Sequence, residues 1–136
     1  MLRKLTEEEY DLRYYESIGC HADNAYEIIL CNRVVGIILI SDCNPHFGDV
    51  CTFIEWVDIS PLCRGKGLFS RVISEVFSMY KTKELHFESC EDKLPMYLHM
   101  GAREKGISEL TENHMLVLTL ENFEKRNTQK GVAYAV

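Results

Sequence analysis

The alternation of apolar and polar positions predicts one long helix and two shorter ones. The clearest helical period follows residue 68, where apolar side chains recur three or four positions apart: Phe69, Val72, Ile73, Val76, Phe77 and Tyr80. Polar side chains fill the opposite face, so residues 69–80 are predicted to form an amphipathic helix. A first helix is predicted after Thr6, because Thr6 and Glu9 have the spacing of a capping box. A third is predicted over residues 92–100 and ends before Gly101.

Extended segments lie between the helices. Runs rich in Ile, Val and Leu predict strands, and a short edge strand precedes the first helix: residues 1–5, 25–31, 34–41, 50–59, 84–90 and 114–120. Their nearly continuous hydrophobicity is typical of a sheet covered on both faces. A helical crossover between residues 59 and 84 makes the strands that it joins parallel. The pattern is βαβββαβαβ, a mixed α+β fold with helices on both sides, in which residues 103–106 turn and residues 122–136 form a partly ordered tail.

A glycine-rich turn separates the third long strand from the long helix. After Pro61 the chain reads Arg64-Gly65-Lys66-Gly67. The first turn of a helix has unpaired amides and a positive dipole end, so a strand, a glycine turn and a helix in this order suit an anion. Glycine allows the backbone to approach a ligand, and the two basic side chains add charge. The alternative is a plain strand-to-helix turn with two convenient glycines.

Three phosphate-binding motifs compete for this turn. A P-loop needs Lys and Ser or Thr after its last glycine, whereas Gly67 is followed by Leu68. A dinucleotide fingerprint needs a third glycine where the chain has Ser70, so a Rossmann-type nucleotide-binding domain remains only as an alternative. The turn resembles the pyrophosphate loop of the GNAT superfamily of acetyl-CoA-dependent N-acetyltransferases, [RQ]-x-x-G-x-[GA]. Residues 62–67 fit this loop at both glycines and in having basic residues beside them, and depart from it at Leu62, where the family has Gln or Arg.

A second match to the same superfamily lies downstream. Tyr97 and Gly101 fit its Y-x-x-x-G-F segment, although Ala102 replaces the usual Phe. Cys90 stands about where the family often has Asn. The two motifs are in the right order and are separated by one helix and one strand. The resemblance covers residues 25–120.

The resemblance implies one acetyltransferase domain over residues 1–136, with 121–136 partly ordered. It implies a mostly antiparallel sheet whose parallel strands four and five splay apart, so that the pantetheine arm of acetyl-CoA enters the gap. The main chain of Val57 and Ile59 would pair with that arm, and the glycine loop would hold the pyrophosphate. The residues expected to bind the cofactor are Val57, Asp58, Ile59, Leu62, Cys63, Arg64, Gly65, Lys66, Gly67, Leu68, Phe69, Ser70 and Cys90.

Acetyl transfer to an amine needs a group that removes a proton from the ammonium form. Glu55 is the candidate base, because it interrupts an apolar strand and burial raises a carboxyl pKa. Asp58 is expected on the opposite face of the strand, since strand side chains alternate. Glu88 on the next strand is the reserve. The alternative for Glu55 is an ordinary solvent-facing or ion-paired residue.

Tyr97 is the candidate acid, since the family has a tyrosine at the matching position. Its phenol would protonate the coenzyme A thiolate, while a backbone amide of the third long strand holds the oxyanion. The alternative is a packed core tyrosine whose hydroxyl meets a carbonyl. The function that follows is acetyl transfer from acetyl-CoA to a primary amine by direct attack in a ternary complex. A non-catalytic acyl-CoA sensor or interaction module of the same fold is the alternative.

The net charge of the chain indicates which kinds of molecule it is expected to bind. Fifteen basic against 21 acidic side chains give a net charge of −6, which argues against nucleic-acid binding. The same charge favours a cationic acceptor, or serves solubility alone. The longest apolar stretch, residues 34–40, is too short for a membrane span, and the N-terminus has no apolar signal region, so a cytoplasmic location is expected. Exposed edges of a small sheet suggest a homodimer.

Six cysteines are present, and none forms a C-x-x-C pair. Reduced thiols are expected, and those within or beside the strand-like runs are expected to be buried: Cys31, Cys43, Cys51 and Cys90. Cys43, His46 and Cys51 have a loosely metal-like spacing, but a fourth ligand is not obvious, so no metal is expected. Cys63 lies beside Arg64, which favours a thiolate, and a catalytic thiol there is an alternative.

Overall fold

The computed structural model describes residues 1–43 and 51–129. Its strands are β1 (Leu2–Lys4), β2 (Asn24–Leu30), β3 (Arg33–Ser41), β4 (Phe53–Ile59), β5 (Glu84–Ser89), β6 (Arg103–Ile107) and β7 (His114–Thr119). Its helices are α1 (Glu7–Tyr10), α2 (Glu16–Ile18), α3 (Leu68–Tyr80), α4 (Leu94–His99) and α5 (Leu120–Gln129). A π-helical segment, Asp11–Tyr15, joins α1 to α2, and these three together are the N-terminal helix. A 3₁₀ turn, Pro61–Cys63, precedes α3.

All seven described strands form one sheet in the order β1-β2-β3-β4-β5-β7-β6. Every neighbouring pair is antiparallel except β4 and β5, which are parallel. The α+β class and the mostly antiparallel sheet predicted from the sequence are confirmed. No helix in residues 1–43 and 51–129 is long and apolar enough to cross a membrane.

Helices cover the two faces of the sheet unequally. The buried side of α3 packs on one face, which α5 also covers through Phe123, 2% exposed. The N-terminal helix covers part of the other face, where Leu5 and Tyr10 pack on Ile37 and Leu39 of β3. The predicted capping box holds, because Thr6 and Glu9 exchange side-chain to backbone hydrogen bonds. This helix begins where the sequence places it.

A buried carboxylate ties the N-terminal helix to the sheet. Glu27 of β2 is 2% exposed and accepts hydrogen bonds from the Tyr14 hydroxyl and from Arg3. The guanidinium of Arg13 lies 3.8 Å from the Glu27 oxygen that accepts from Tyr14. Burial and the hydrogen bond to Glu27 raise the pKa of Tyr14 to about 12. Paired in this way, the buried charge fixes the helix against β2.

Two sequence predictions on secondary structure are wrong, and part of the expected tail is a helix. Residues 103–106, expected to turn, belong to the edge strand β6, whose mostly polar sequence lacks alternation because the strand is exposed on both sides. Residues 122–129, part of the segment expected to be a partly ordered tail, lie in α5, which begins where the Thr119 hydroxyl accepts from the Asn122 amide. The first hairpin turns at Cys31 and Asn32, both with positive φ, one residue earlier than expected.

Candidate active site

The sheet opens between its two parallel strands. β4 and β5 share only two register pairs, Phe53 with His86 and Ile54 with Phe87. β4 then continues to Ile59 and β5 to Ser89 without pairing each other. The splay implied by the resemblance is therefore present. A cavity of about 260 Å³, the gap cavity, lies where the strands diverge.

Glu55 occupies a β-bulge at the mouth of this gap. The β3–β4 register shifts so that Leu39 faces Trp56 and Ile40 faces Ile54, which leaves Glu55 as the extra residue. Its carboxylate accepts a hydrogen bond from the Ser41 side chain. Ser41 lies on the same sheet face as Ile37 and Leu39 of β3, which the N-terminal helix covers. Burial raises the pKa of Glu55, the negative charges of Glu88 and Asp23 raise it further, and the Ser41 hydrogen bond opposes them.

The bulge overturns one expectation about β4. Strict alternation would send Glu55 and Asp58 to opposite faces, yet Asp58 pairs with Ile37, whose side chain packs against the N-terminal helix. The extra residue in the bulge resets the alternation, so both carboxylates lie on the same face. Glu88, the reserve base, lines the gap cavity and accepts a 2.6 Å hydrogen bond from the Thr111 hydroxyl.

The glycine turn forms a second cavity, the loop cavity, of about 740 Å³. Gly65 and Gly67 have φ of 78° and 77°, a conformation that favours glycine. Gly67 immediately precedes α3, and no side chain caps that helix. Its first-turn amides are therefore available to a ligand.

Most of the residues expected to bind the cofactor line these two cavities. Those at the loop cavity are Val57, Asp58, Ile59, Cys63, Arg64, Gly65, Gly67, Leu68, Phe69 and Ser70, and Cys90 lines the gap cavity. Leu62 and Lys66 line neither cavity, and Leu62 is 85% exposed.

Arg64 is engaged with β4 rather than with the loop. Its Nε donates to the Ile59 carbonyl at 2.7 Å, and its guanidinium forms a 3.1 Å ion pair with Asp58. The sequence motif identified the basic residue but not this partner. The Arg64 side chain therefore connects the end of β4 to the glycine turn.

Tyr97 joins the two cavities. It is 9% exposed and packs between the rings of Phe69 and Phe87, with centroids 6.1 and 4.8 Å away, and it lines both spaces. Its hydroxyl has no hydrogen-bond partner among residues 1–43 and 51–129, so the alternative of a tyrosine bonded to a carbonyl is not what the structure shows. Burial, and then the charge of Cys90, raise the pKa of this phenol.

Lys93 is a site residue that the sequence motifs missed. It lines both cavities and stands one helical turn before Tyr97. The spacing of four residues was the available signal, because such residues share a helix face. A cation is thereby brought to the junction of the cavities.

The cysteines differ from their predicted burial. Cys31, Cys43 and Cys90 are exposed and Cys51 is partly buried, because each lies at the end of a strand or in a turn rather than inside a run. Cys63 is also partly buried. His46, in the weak metal alternative, lies outside the described residues. Within the described ranges, no group of three metal-ligating side chains is found.

Solved structures of similar fold include acetyltransferases. A GNAT family acetyltransferase from Elizabethkingia anophelis with acetyl-CoA bound matches with a TM-score of 0.60 and 15% identity, over 88% of this chain and 97% of that one. A spermidine N-acetyltransferase chimera, partly from Vibrio cholerae, matches with a TM-score of 0.58 and 14% identity, over 94% and 98%. The chain spans 64% of the length of a similar protein from Pyrococcus horikoshii, at a TM-score of 0.57, 13% identity and 70% of this chain.

The chain therefore has the fold of the GNAT acetyltransferases, and the resemblance drawn from the sequence is confirmed at that level. No protein-family model matches the sequence, and no curated protein sequence matches it.

Proposed function

We propose that this protein is an N-acetyltransferase that moves an acetyl group from acetyl-CoA to a primary amine by direct attack in a ternary complex. The observation that carries the proposal is the pair of cavities at the splayed strands. The gap cavity is lined by a candidate base, Glu55, and by a candidate acid, Tyr97, whose hydroxyl has no partner in the described residues. The loop cavity is bordered by the uncapped N-terminus of α3.

Coenzyme A would lie along both cavities. Its pyrophosphate would accept hydrogen bonds from the amides at the start of α3, where the dipole favours negative charge. Its pantetheine arm would follow Val57 to Ile59, where β4 has no neighbour on the β5 side. The thioester would then reach Tyr97. Acetyl-CoA is accordingly the proposed co-substrate.

The chemistry would begin with a proton leaving the acceptor. Glu55 takes it, directly or through a water chain, because its raised pKa makes it a better base than an exposed carboxylate. The neutral amine attacks the thioester carbonyl, and a β4 amide holds the oxyanion. As the C–S bond breaks, Tyr97 gives its proton to the sulfur. A phenol with a raised pKa remains protonated until that step.

The acceptor would enter from the side of Glu55, where the charge is negative. Glu88 and Asp23 act electrostatically on Glu55, and the ring of Trp56 is 43% exposed nearby. An ammonium is attracted by carboxylates and by the face of an indole. We therefore propose a cationic amine as acceptor. The similarity in fold to a spermidine N-acetyltransferase supports an amine of this kind.

The first experiment is thermal unfolding with acetyl-CoA, coenzyme A and NAD in separate samples. A ligand at 100 times its dissociation constant adds about 2.7 kcal/mol, or roughly 9 °C for a domain of this size. Shifts with both coenzyme A species and none with NAD are expected. A shift with NAD alone would favour the Rossmann-type alternative and remove the proposal.

Two variants separate the enzyme from an acyl-CoA sensor. Glu55→Gln and Tyr97→Phe should each lower kcat by about 100-fold, since each removes one proton transfer, while the thermal shift with acetyl-CoA persists. Thiol release with a panel of amines measures turnover. Glu109→Gln and Tyr80→Phe, which lie outside both cavities, are the matched controls. Binding with no turnover in the parent protein, for any amine, would favour the sensor.

The homodimer suggested by the sheet edges stays a prediction. Its edges in the structure are β1 and β6. The molar mass in solution, measured by light scattering, decides between one copy and two.

A further inference from the structure

A thiol stands beside the proposed reaction centre without a role in the proposed chemistry. Cys90 directly follows β5, is exposed, and lines the gap cavity together with Lys93 and Tyr97. The amide of Lys93 donates to the Cys90 carbonyl, so that one turn of chain holds the cation and the thiol at the same cavity. The thiolate of a cysteine is its reactive form.

The hydroxyl of Tyr97 points to a ligand in this space. The residue is 9% exposed, and its hydroxyl meets no partner in the part of the chain that the structure describes. Cys90 acts electrostatically on that hydroxyl, so that thiol and phenol border the same volume. A hydroxyl without a partner that lines a cavity can donate to or accept from a ligand there. A ligand that hydrogen bonds with Tyr97 would therefore occupy the cavity that Cys90 also lines.

The proposed position of coenzyme A brings its own sulfur to this point. The argument at this step rests on the proposed function, in which the phosphates occupy the loop cavity and the thiol end reaches Tyr97. The two cavities share Val57, Phe69, Lys93 and Tyr97 among their lining residues. Cys63 lines only the loop cavity, at the phosphate end. Of these two cysteines, Cys90 is thus the one beside the coenzyme A sulfur.

We propose that Cys90 is a modification site that takes coenzyme A as a mixed disulfide. The Cys90 thiolate attacks one sulfur of coenzyme A disulfide, the S–S bond of that disulfide breaks, and one coenzyme A leaves as a thiolate. The proton of Cys90 passes to solvent, and the exchange needs no further oxidant. The retained half occupies the loop cavity while the departing half leaves through the gap. The bound adduct excludes acetyl-CoA, and a small thiol reverses it.

The test is intact mass spectrometry of the full chain incubated with coenzyme A disulfide. We expect one adduct, heavier than the protein by one coenzyme A less two hydrogen atoms, and peptide mapping should place it on Cys90. Glutathione disulfide is the matched reagent, since it has the same reactive bond and no nucleotide. Because the loop cavity would bind the nucleotide part, coenzyme A disulfide should react at least about tenfold faster than glutathione disulfide. Acetyl-CoA should slow the reaction by competing for the same cavity.

Two variants complete the test. Cys90→Ser should form no adduct, while Cys31→Ser, which removes an exposed thiol from the β2–β3 turn, should react like the parent. Equal rates with the two disulfides, or an adduct on Cys31 or Cys63 instead, would overturn the inference.

The outcomes separate this inference from the proposed function. Stabilisation by acetyl-CoA without an adduct on Cys90 overturns the inference alone. Absence of stabilisation by either coenzyme A species overturns the proposed function, and equal labelling by both reagents then overturns the inference as well.

Discussion

His114 is held between two carboxylates from different parts of the chain. Its two ring nitrogens contact Glu91, in the turn after β5, and Glu104 of β6. Hydrogen bonds to both carboxylates raise its pKa above the ordinary 6.5. The imidazolium thereby connects β7 to an edge strand and to the turn that carries Cys90 and Lys93. A single side chain thus joins β7, β6 and the turn that follows β5.

The sign of the pH dependence follows from the raised pKa. A group whose pKa rises on folding adds stability while it is protonated, so the contribution of His114 is complete below about pH 6.5 and is lost as pH rises through its folded pKa. His114→Gln should therefore lower the unfolding temperature most near pH 6 and progressively less towards about pH 9. Thermal scans across this range check it. His99→Gln, which removes an imidazole that has no ion pair in the described ranges, is the control, and a difference constant with pH would contradict the prediction.

At the scale of elements, β4 depends on a glycine in its neighbour. Gly36 of β3 pairs with Ile59, and a Cβ at this position would lie 2.3 Å from the carbonyl oxygen of Asp58. The contact is with backbone, so no side-chain rotation can relieve it. The two strands approach closely where β4 lines the loop cavity.

Gly36→Ala should push Asp58 and Ile59 away from β3. We expect a loss of about 1–3 kcal/mol in the free energy of unfolding, as for other overpacked sites, together with weaker binding of coenzyme A. Denaturant titration and the thermal shift measure the two effects. Gly19→Ala is the matched control, because Gly19 has open space around it and only a positive φ of 70° to strain. Equal losses in the two variants would show that the close approach does not matter.

Segments with a regular hydrophobic period or with turn-forming glycines could be predicted from the sequence. Features that depend on contacts with residues far away in the chain could not. Helix α3 and its glycine turn are local, because spacing and two glycines define them. β6 has no alternating pattern, since its edge position exposes both of its sides. α5 depends on one deeply buried ring, Phe123. The bulge at Glu55 arises from the β3–β4 register, which no local pattern encodes.

At the scale of the whole molecule, the sheet consists of two halves. β1–β4 form one, β5–β7 form the other, and two register pairs connect them through β4 and β5. Beyond Ile54 the two halves separate. A pantetheine arm lying in the gap would act as the missing neighbour of β4 and would join the halves.

Acetyl-CoA should therefore slow amide hydrogen exchange along residues 55–59 and in β5 beside the gap. The amides of β2, which is paired on both sides, should not change. Exchange followed by mass spectrometry, with NAD as the control ligand, measures the effect. Protection spread evenly over the whole chain would show global stabilisation and would contradict a ligand bound in the gap.

The two outer strands of the sheet have a consequence for crowded solutions. β1 is three residues long and includes Arg3 and Lys4, and β6 includes Arg103, Glu104 and Lys105. Short and charged edges resist the strand-to-strand pairing through which β-rich proteins aggregate. Concentrated samples should therefore remain dispersed, as turbidity measurements would show.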